Sequence, residues 1–275
     1  MILWFSGTGN SRYVAEILAA ELGSPVRPLT PDLRDGNITL PKDDSMVIWV
    51  CPVYSWGIPP YVRSIMRTAS LSNPGAVHHL VLTCGDDCGL AADMWRTDLS
   101  RRGWRAGTAF SVTMPNNYVC MSGFNVDPEP TVQAKLAAAP ERIREIAGKI
   151  ASYAVSPENT NATTDDLVRG RFAWIKTRII YPWFMRHAMS PRPFRHTDAC
   201  ISCGKCAAIC PLHNITMQPV AGNASDSSVR RRKYPQWHSD CAGCLACYHV
   251  CPRHAVMYGN KTAYKGQYMN PLIRR

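Results

Sequence analysis

The chain has no apolar run near the ~18 residues a membrane-spanning helix needs; the longest, Met46–Val53, is strand-sized. Its N-terminus, Met-Ile-Leu-Trp-Phe, has neither the basic segment nor the cleavage site of a secretory leader. Acid is scarce, with 20 Asp and Glu against 31 Lys and Arg over 275 residues, a formal charge of +11. Disorder and fibrous architecture are excluded by an apolar content of 46%, and the length suits two modest domains. Without an export signal, twelve cysteines point to metal or redox chemistry rather than a disulfide scaffold, and to a cytoplasmic protein.

The shortage of acid is uneven. Residues 1–155 carry 14 basic and 14 acidic side chains, so the whole excess falls in the last 120 residues. Cys51, Cys84, Cys88 and Cys120 are scattered, whereas the other eight cysteines crowd between Cys200 and Cys251. Two chemistries share one chain.

Residues 1–155 alternate strand and helix signals. Ile2–Phe5, Met46–Val53, Val77–Thr83 and Ala106–Met114 read as strands; the continuous apolar runs among them suit a parallel sheet covered on both faces. Helices are expected at Ser11–Leu22, Pro60–Ala69, Leu90–Arg101 and from Pro140, the last with Ile143, Ile146 and Ile150 inward. The pattern predicts an α/β, doubly wound parallel sheet of five strands, with its ligand site at the C-terminal strand ends. Residues 156–197 form a basic, aromatic linker with a helix over Phe172–Phe184, interrupted by Pro182. The first reading of this helix is packing between domains, then partner docking, and last a membrane-surface helix.

Residues 198–275 contain an internal repeat. Cys200-x2-Cys203-x2-Cys206-x3-Cys210-Pro211 recurs, offset by 41 residues, as Cys241-x2-Cys244-x2-Cys247-x3-Cys251-Pro252. Each copy is similar to the bacterial ferredoxin run for a 4Fe-4S cluster. That resemblance implies two 4Fe-4S clusters, one on Cys200, Cys203, Cys206 and Cys251, the other on Cys241, Cys244, Cys247 and Cys210. Zinc would favour two cysteine pairs across a long spacer, and disulfides do not suit the expected compartment. The loop between the copies holds a flexible Gly222–Ser228 stretch and Arg230-Arg231-Arg232-Lys233, read as a solvated segment or as a docking patch for an acidic partner.

After the first strand, Ser6-Gly7-Thr8-Gly9-Asn10-Ser11 runs into a helix, offering hydroxyls and backbone N–H groups to a phosphate. It lacks the third glycine of a dinucleotide fingerprint and the lysine of a P-loop, which suits a monophosphate. Pro52–Gly57 and Thr83–Gly89 follow the third and fourth strands, where a planar ring could stack on Tyr54 and Trp56. Cys84 and Cys88 flank that edge and read as ordinary buried thiols before a redox pair. No hydrolytic triad or paired carboxylates stand out.

With Met114–Tyr118 and the closing Lys265–Pro271, the chain resembles the flavodoxin–ferredoxin fusion family of anaerobic bacteria over nearly its full length. The resemblance implies a flavodoxin-like FMN domain followed by a small α+β bacterial ferredoxin-type domain. It implies FMN held at its phosphate by Ser6, Thr8, Gly9, Asn10 and Ser11. Around the isoalloxazine it implies Pro52, Val53, Tyr54, Ser55, Trp56 and Gly57, with Cys84, Gly85 and Asp86. Ile58-Pro59-Pro60 stands where many flavodoxins place an acidic residue. The expected function is electron transfer between the clusters and FMN and on to a protein partner with an acidic surface. Behind it stand an oxidoreductase reducing its own small organic acceptor, then a redox sensor or nucleic-acid binder. Anionic clusters and a phosphate would offset much of the positive charge, so nucleic acid is not an expected partner.

Overall fold

The computed structural model describes residues 1–41, 45–155, 165–219 and 233–273. The polar linker at 156–164, Gly222–Ser228 and Arg230–Arg232 lie outside the described residues. The chain divides into two compact units.

The first unit is built on strands β1 (Ile2–Trp4), β2 (Val26–Pro28), β3 (Met46–Pro52), β4 (Val77–Cys84) and β5 (Arg105–Thr113). All pair in parallel in the order β2-β1-β3-β4-β5, the flavodoxin-like doubly wound arrangement. Strand β3 is buried from Val47 to Cys51 and β4 from His78 to Cys84, so the apolar runs mark a sheet covered on both faces. Helices α1 (Asn10–Leu22), α2 (Pro60–Thr68), α3 (Ala91–Ser100) and α4 (Glu129–Val155) connect and flank the strands.

Helix α4 starts eleven residues before Pro140, which lies inside it. Val132, Leu136, Ala139, Ile143, Ile146 and Ile150 are all buried, one apolar face recurring at steps of three and four. A face of that length outweighs one missing N–H bond.

Beyond α4, a helix is assembled from α5 (Ala173–Ile175), a π-helical stretch Lys176–Ile180 and α6 (Tyr181–His187). The π stretch ends just before Pro182, whose missing N–H shifts the bonding pattern. Thr177, Tyr181 and Phe184 are buried, while Phe172, Trp174, Ile175, Ile179, Ile180 and Trp183 are exposed. Residues from Asn270 onward also belong to this first unit.

The second unit joins Asn117–Val126 to Arg186–Met269. It is a small α+β body. Strand β6 (Phe194–His196) pairs antiparallel with β9 (Val256–Tyr258), and β7 (Ile215–Pro219) with β8 (Lys233–Trp237). Two four-residue helices, α7 (Lys205–Ala208) and α8 (Ala246–His249), occupy matching places in the two copies of the repeat. Phe194, Ile215, Leu245, Tyr248, Val256 and Tyr258 form the core with Val119 and Cys120. Among the described residues, no helix is long and apolar enough to cross a membrane.

Candidate cofactor sites

The eight clustered cysteines sort into two sets. Cys210, Cys241, Cys244 and Cys247 line one cavity, walled by Leu212, Ile215 and Trp237. Cys200, Cys203, Cys206 and Cys251 line another, with Ile201, Met217 and Pro235. Each set takes three cysteines from one copy of the repeat and the fourth from the other. Among the described residues, no three His, Cys, Asp or Glu are grouped to hold a single metal ion.

The local backbone explains the matching geometry. His213 and His254 both have φ of 50°, turning the chain just after each Cys-Pro. That turn lets the N–H of Asn214 donate to Cys210 Sγ at 3.3 Å and the N–H of Ala255 to Cys251 Sγ at 3.2 Å. Gly243 N–H donates to Cys241 Sγ at 3.3 Å. Donors aimed at sulfur stabilise thiolates and tune any cluster they bind. Burial acts in the opposite direction, pushing the Cys206 thiol up to about 11 and Cys244 to about 12. Metal binding at these sulfurs therefore has to displace protons.

A scaffold that sequence spacing did not reveal surrounds the second copy. His249 Nδ1 accepts from Tyr268 N–H at 3.1 Å, so Nε2 carries the proton and donates to Asn117 O at 2.7 Å. Burial lowers this ring's pKa to about 4 and keeps it neutral. Gln267 Nε2 donates to the carbonyls of Tyr248 and Cys251. The closing Lys265–Tyr268 segment thus clamps the turn bearing Cys247 and Cys251.

In the first unit, the parallel register sends the loops after β1, β3 and β4 to one edge of the sheet. Ser11 Oγ lies 2.7 Å from Thr83 Oγ1, tying the first loop to the end of β4. Asn10 Nδ2 donates to Pro115 O, bringing in the loop after β5. Thr8, Asn10 and Ser11 are buried, whereas Ser6, Gly7 and Gly9 are half-buried and reachable. Ser6 Oγ accepts from Gly9 N–H at 3.1 Å, closing the loop on itself.

Gly9 has φ of +98°, a conformation that carries little cost only for glycine. Asn270 presses on its outer side: a Cβ at position 9 would lie 3.0 Å from Asn270 Cβ. Asn270 N–H donates to Thr8 O at 2.8 Å and its Nδ2 to Asn10 Oδ1 at 3.2 Å. A segment 260 positions away in sequence therefore braces the Ser6–Ser11 loop.

The Pro52–Gly57 loop forms a tight turn, with Tyr54 and Gly57 exchanging both backbone bonds. Its central residues Ser55 and Trp56 have φ of 46° and 63°, an uncommon pair for non-glycine residues. The π-helical stretch and α6 hold this turn. Thr177 Oγ1 donates to Trp56 O at 2.7 Å and accepts from Leu90 N–H at 2.8 Å. Lys176 Nζ sits 5.0 Å from the Trp56 ring centroid and pairs with Asp87, while Tyr181 OH donates to Ile58 O at 2.6 Å. Pro52 through Trp56 stay half-buried.

In the Thr83–Gly89 loop, Gly85 is half-buried and Asp86 is exposed. A Cβ at Gly85 would collide with the Asn116 side chain. Asn116 is oriented by both Asp127 oxygens, and Lys135 Nζ bridges Asp127 and Gly85 O. Burial works to raise the Asp127 pKa, but the Lys135 and Asn116 hydrogen bonds prevail and lower it. Cys84 and Cys88 are buried with their sulfurs 3.5 Å apart, and the Cys84 contact and burial push the Cys88 thiol up. That environment suits a protonated Cys88 thiol. Asp127, Lys135 and Thr177 carry no local signal, and Asn116 and Asn270 lie in segments that bear the resemblance without a role, because all five reach the loops through long-range packing.

A parallel sheet of flavodoxin-like order and a twofold cysteine repeat closing two four-sulfur cavities define an iron–sulfur redox protein with an α/β unit. Residues 199–267 match the family model described as 4Fe-4S dicluster domain. The pyruvate-flavodoxin oxidoreductase of Trichormus variabilis is 29% identical over 105 residues, 33% of this chain. The matched region spans only 9% of that larger protein. Among solved structures, a Streptococcus pneumonia TIGR4 flavodoxin aligns with 55% of this chain and 96% of its own, at 18% identity and a TM-score of 0.35. An NADH:FMN oxidoreductase aligns with 60% of this chain and 94% of its own, at 16% identity and a TM-score of 0.37. The fold assignment rests on the strand order itself.

Proposed function

We propose that this chain is a cytoplasmic electron-transfer protein using two 4Fe-4S clusters and one FMN. Electrons would pass between clusters and flavin and on to a protein partner with an acidic surface. The observation that carries this reading is the division of the eight cysteines into two cavities, each lined by three sulfurs from one repeat copy and one from the other. That exchange suits interleaved ferredoxin-type clusters better than separate zinc sites, which favour two cysteine pairs across a long spacer.

The clusters would supply one-electron exchange, and the flavin would accommodate one electron or two. The chain's own part is positioning. Backbone donors steady the cysteine sulfurs, and the Leu212, Ile215 and Trp237 wall limits water. At the sheet edge, the reachable Ser6 hydroxyl and the Gly7 and Gly9 backbone at the start of α1 suit a phosphate, in a loop whose shape buried Thr8, Asn10 and Ser11 hold. Half-buried Tyr54 and Trp56 suit one face of a flavin ring, and the half-buried backbone of Gly85, whose side-chain space Asn116 fills, suits its polar edge. Reduced thiols fit a cytoplasmic setting. The 17 basic against 6 acidic residues after position 155 favour an acidic partner.

Anaerobic purification followed by iron, sulfide and flavin analysis tests the reading. The expected yield is about eight irons and one FMN per chain, from two cubanes and one phosphate loop. Fewer than about four irons would sink the cluster assignment. Riboflavin or an empty flavin site would sink the FMN assignment. Turnover of a small organic acceptor without any protein partner would replace electron relay with a self-contained oxidoreductase.

A further inference from the structure

We propose that the outward face of the α5–α6 helix is a docking surface for an anionic lipid bilayer. Phe172, Ile175, Ile179 and Trp183 recur at steps of three and four and are 67%, 44%, 55% and 52% exposed. Trp174, at 61%, and Ile180 flank them. The opposite face carries Thr177, Tyr181 and Phe184, which are buried and fix the helix to the first unit. An aromatic and aliphatic patch held outward on a rigid helix is unusual for a chain surrounded only by water.

The charge around the patch has one sign. From Leu167 to Thr197 the chain carries seven Arg and Lys and no Asp or Glu. Arg171, Arg178 and Arg186 are exposed on this helix or at its start. Tryptophan, phenylalanine and isoleucine at the centre with arginine at the margin is the composition of a helix lying in the headgroup layer. The apolar side chains would enter the acyl boundary while the guanidinium groups reach lipid phosphates. The geometry describes surface attachment, since no described helix can span a bilayer.

Two other occupants fit less well. A second copy docked face to face would set Arg171, Arg178 and Arg186 against their equivalents, with no acid in the stretch to relieve the repulsion. A transient redox partner would meet the charges but would leave this apolar area poorly matched, because such interfaces are small and polar.

Vesicle sedimentation of the full, cofactor-loaded chain tests the proposal. The probes are phosphatidylcholine vesicles with and without about one-third phosphatidylglycerol, at low and moderate salt. The wild type is expected to partition onto the anionic vesicles, with Trp174 and Trp183 quenched by brominated acyl chains. Trp174→Ser/Ile179→Ser/Trp183→Ser leaves the charge unchanged and is expected to weaken binding about tenfold or more. Arg171→Gln and Arg178→Gln should each weaken it about fivefold. All five positions are exposed, so a thermal melt unchanged from wild type is the expected control for folding. Three outcomes overturn the proposal: no partitioning of wild type, equal binding by the triple serine variant, or self-association abolished by the serines without lipid binding. Binding by the serine variant would mean adsorption through net charge alone.

Discussion

Asn270→Ala should loosen the Ser6–Ser11 loop without touching the face open to a ligand. Asn270 is 3% exposed, and its side chain donates to Asn10 Oδ1 at 3.2 Å and accepts from Leu272 N–H at 2.9 Å. Two such bonds are worth about 2 kcal/mol together. For a unit of this size that is a fall of about 4–8 °C in Tm. FMN affinity, followed by flavin fluorescence, should weaken, while riboflavin, which has no phosphate, should bind as before. A companion cycle isolates the brace. Gly9→Ala costs about 1–2 kcal/mol from its positive φ alone, and the new Cβ also meets Asn270 Cβ at 3.0 Å. In the double variant Gly9→Ala/Asn270→Gly the second cost disappears, so the total should be smaller than the sum of the two singles. Strict additivity, or equal losses for FMN and riboflavin, would refute the idea that the C-terminal segment braces a phosphate loop.

Thr177→Val should cost about 2–3 kcal/mol, because Leu90 N–H and Trp56 O lose their shared hydroxyl; chemical denaturation reads this, and a change under 0.5 kcal/mol would refute it. Asp98→Ala should cost about 3–5 kcal/mol by stripping a fully buried carboxylate from the Arg63 and Arg67 guanidinium groups; an unchanged denaturation midpoint would count against that role. Stability should also fall with acid. Burial lowers the pKa of His78 to about 3 and of His79 to about 4, so the folded state favours their neutral rings. Their contribution is full above the unfolded value of 6.5 and fades as pH falls toward 4. By pH 5 each ring should cost about 2 kcal/mol, visible as a falling urea midpoint between pH 7 and 5. A flat profile would show that neither ring is buried as described.

Much of this was legible in short-range pattern. The runs Met46–Val53 and Val77–Thr83 became the two most buried strands, since a sheet covered on both faces favours apolar side chains along most of each strand, with His78 and His79 the buried exceptions. The turn residues of Ser6–Ser11 marked a strand-to-helix junction for the same local reason. Helix α4 begins eleven residues before the proline that marks a helix start locally, because its apolar face runs back to Val132. The Phe172–Phe184 stretch was read as a packing helix, yet spacing alone cannot say which of two apolar faces finds a partner. Thr177, Tyr181 and Phe184 are buried, whereas Phe172, Ile179 and Trp183 are more than half exposed.

The sequence by itself determined four of the five sheet strands, the helices beside them, the repeat and the residue types available for iron, because each is written in spacing along a few turns of chain; the short strand Val26–Pro28 carries no such pattern. Only the tertiary structure decided that Asn270 braces Gly9, that Thr177 holds the Trp56 turn and that Asn116 sits over Gly85. Those contacts join residues from about 30 to 260 positions apart. They arise from packing of whole elements against one another, which no local propensity encodes.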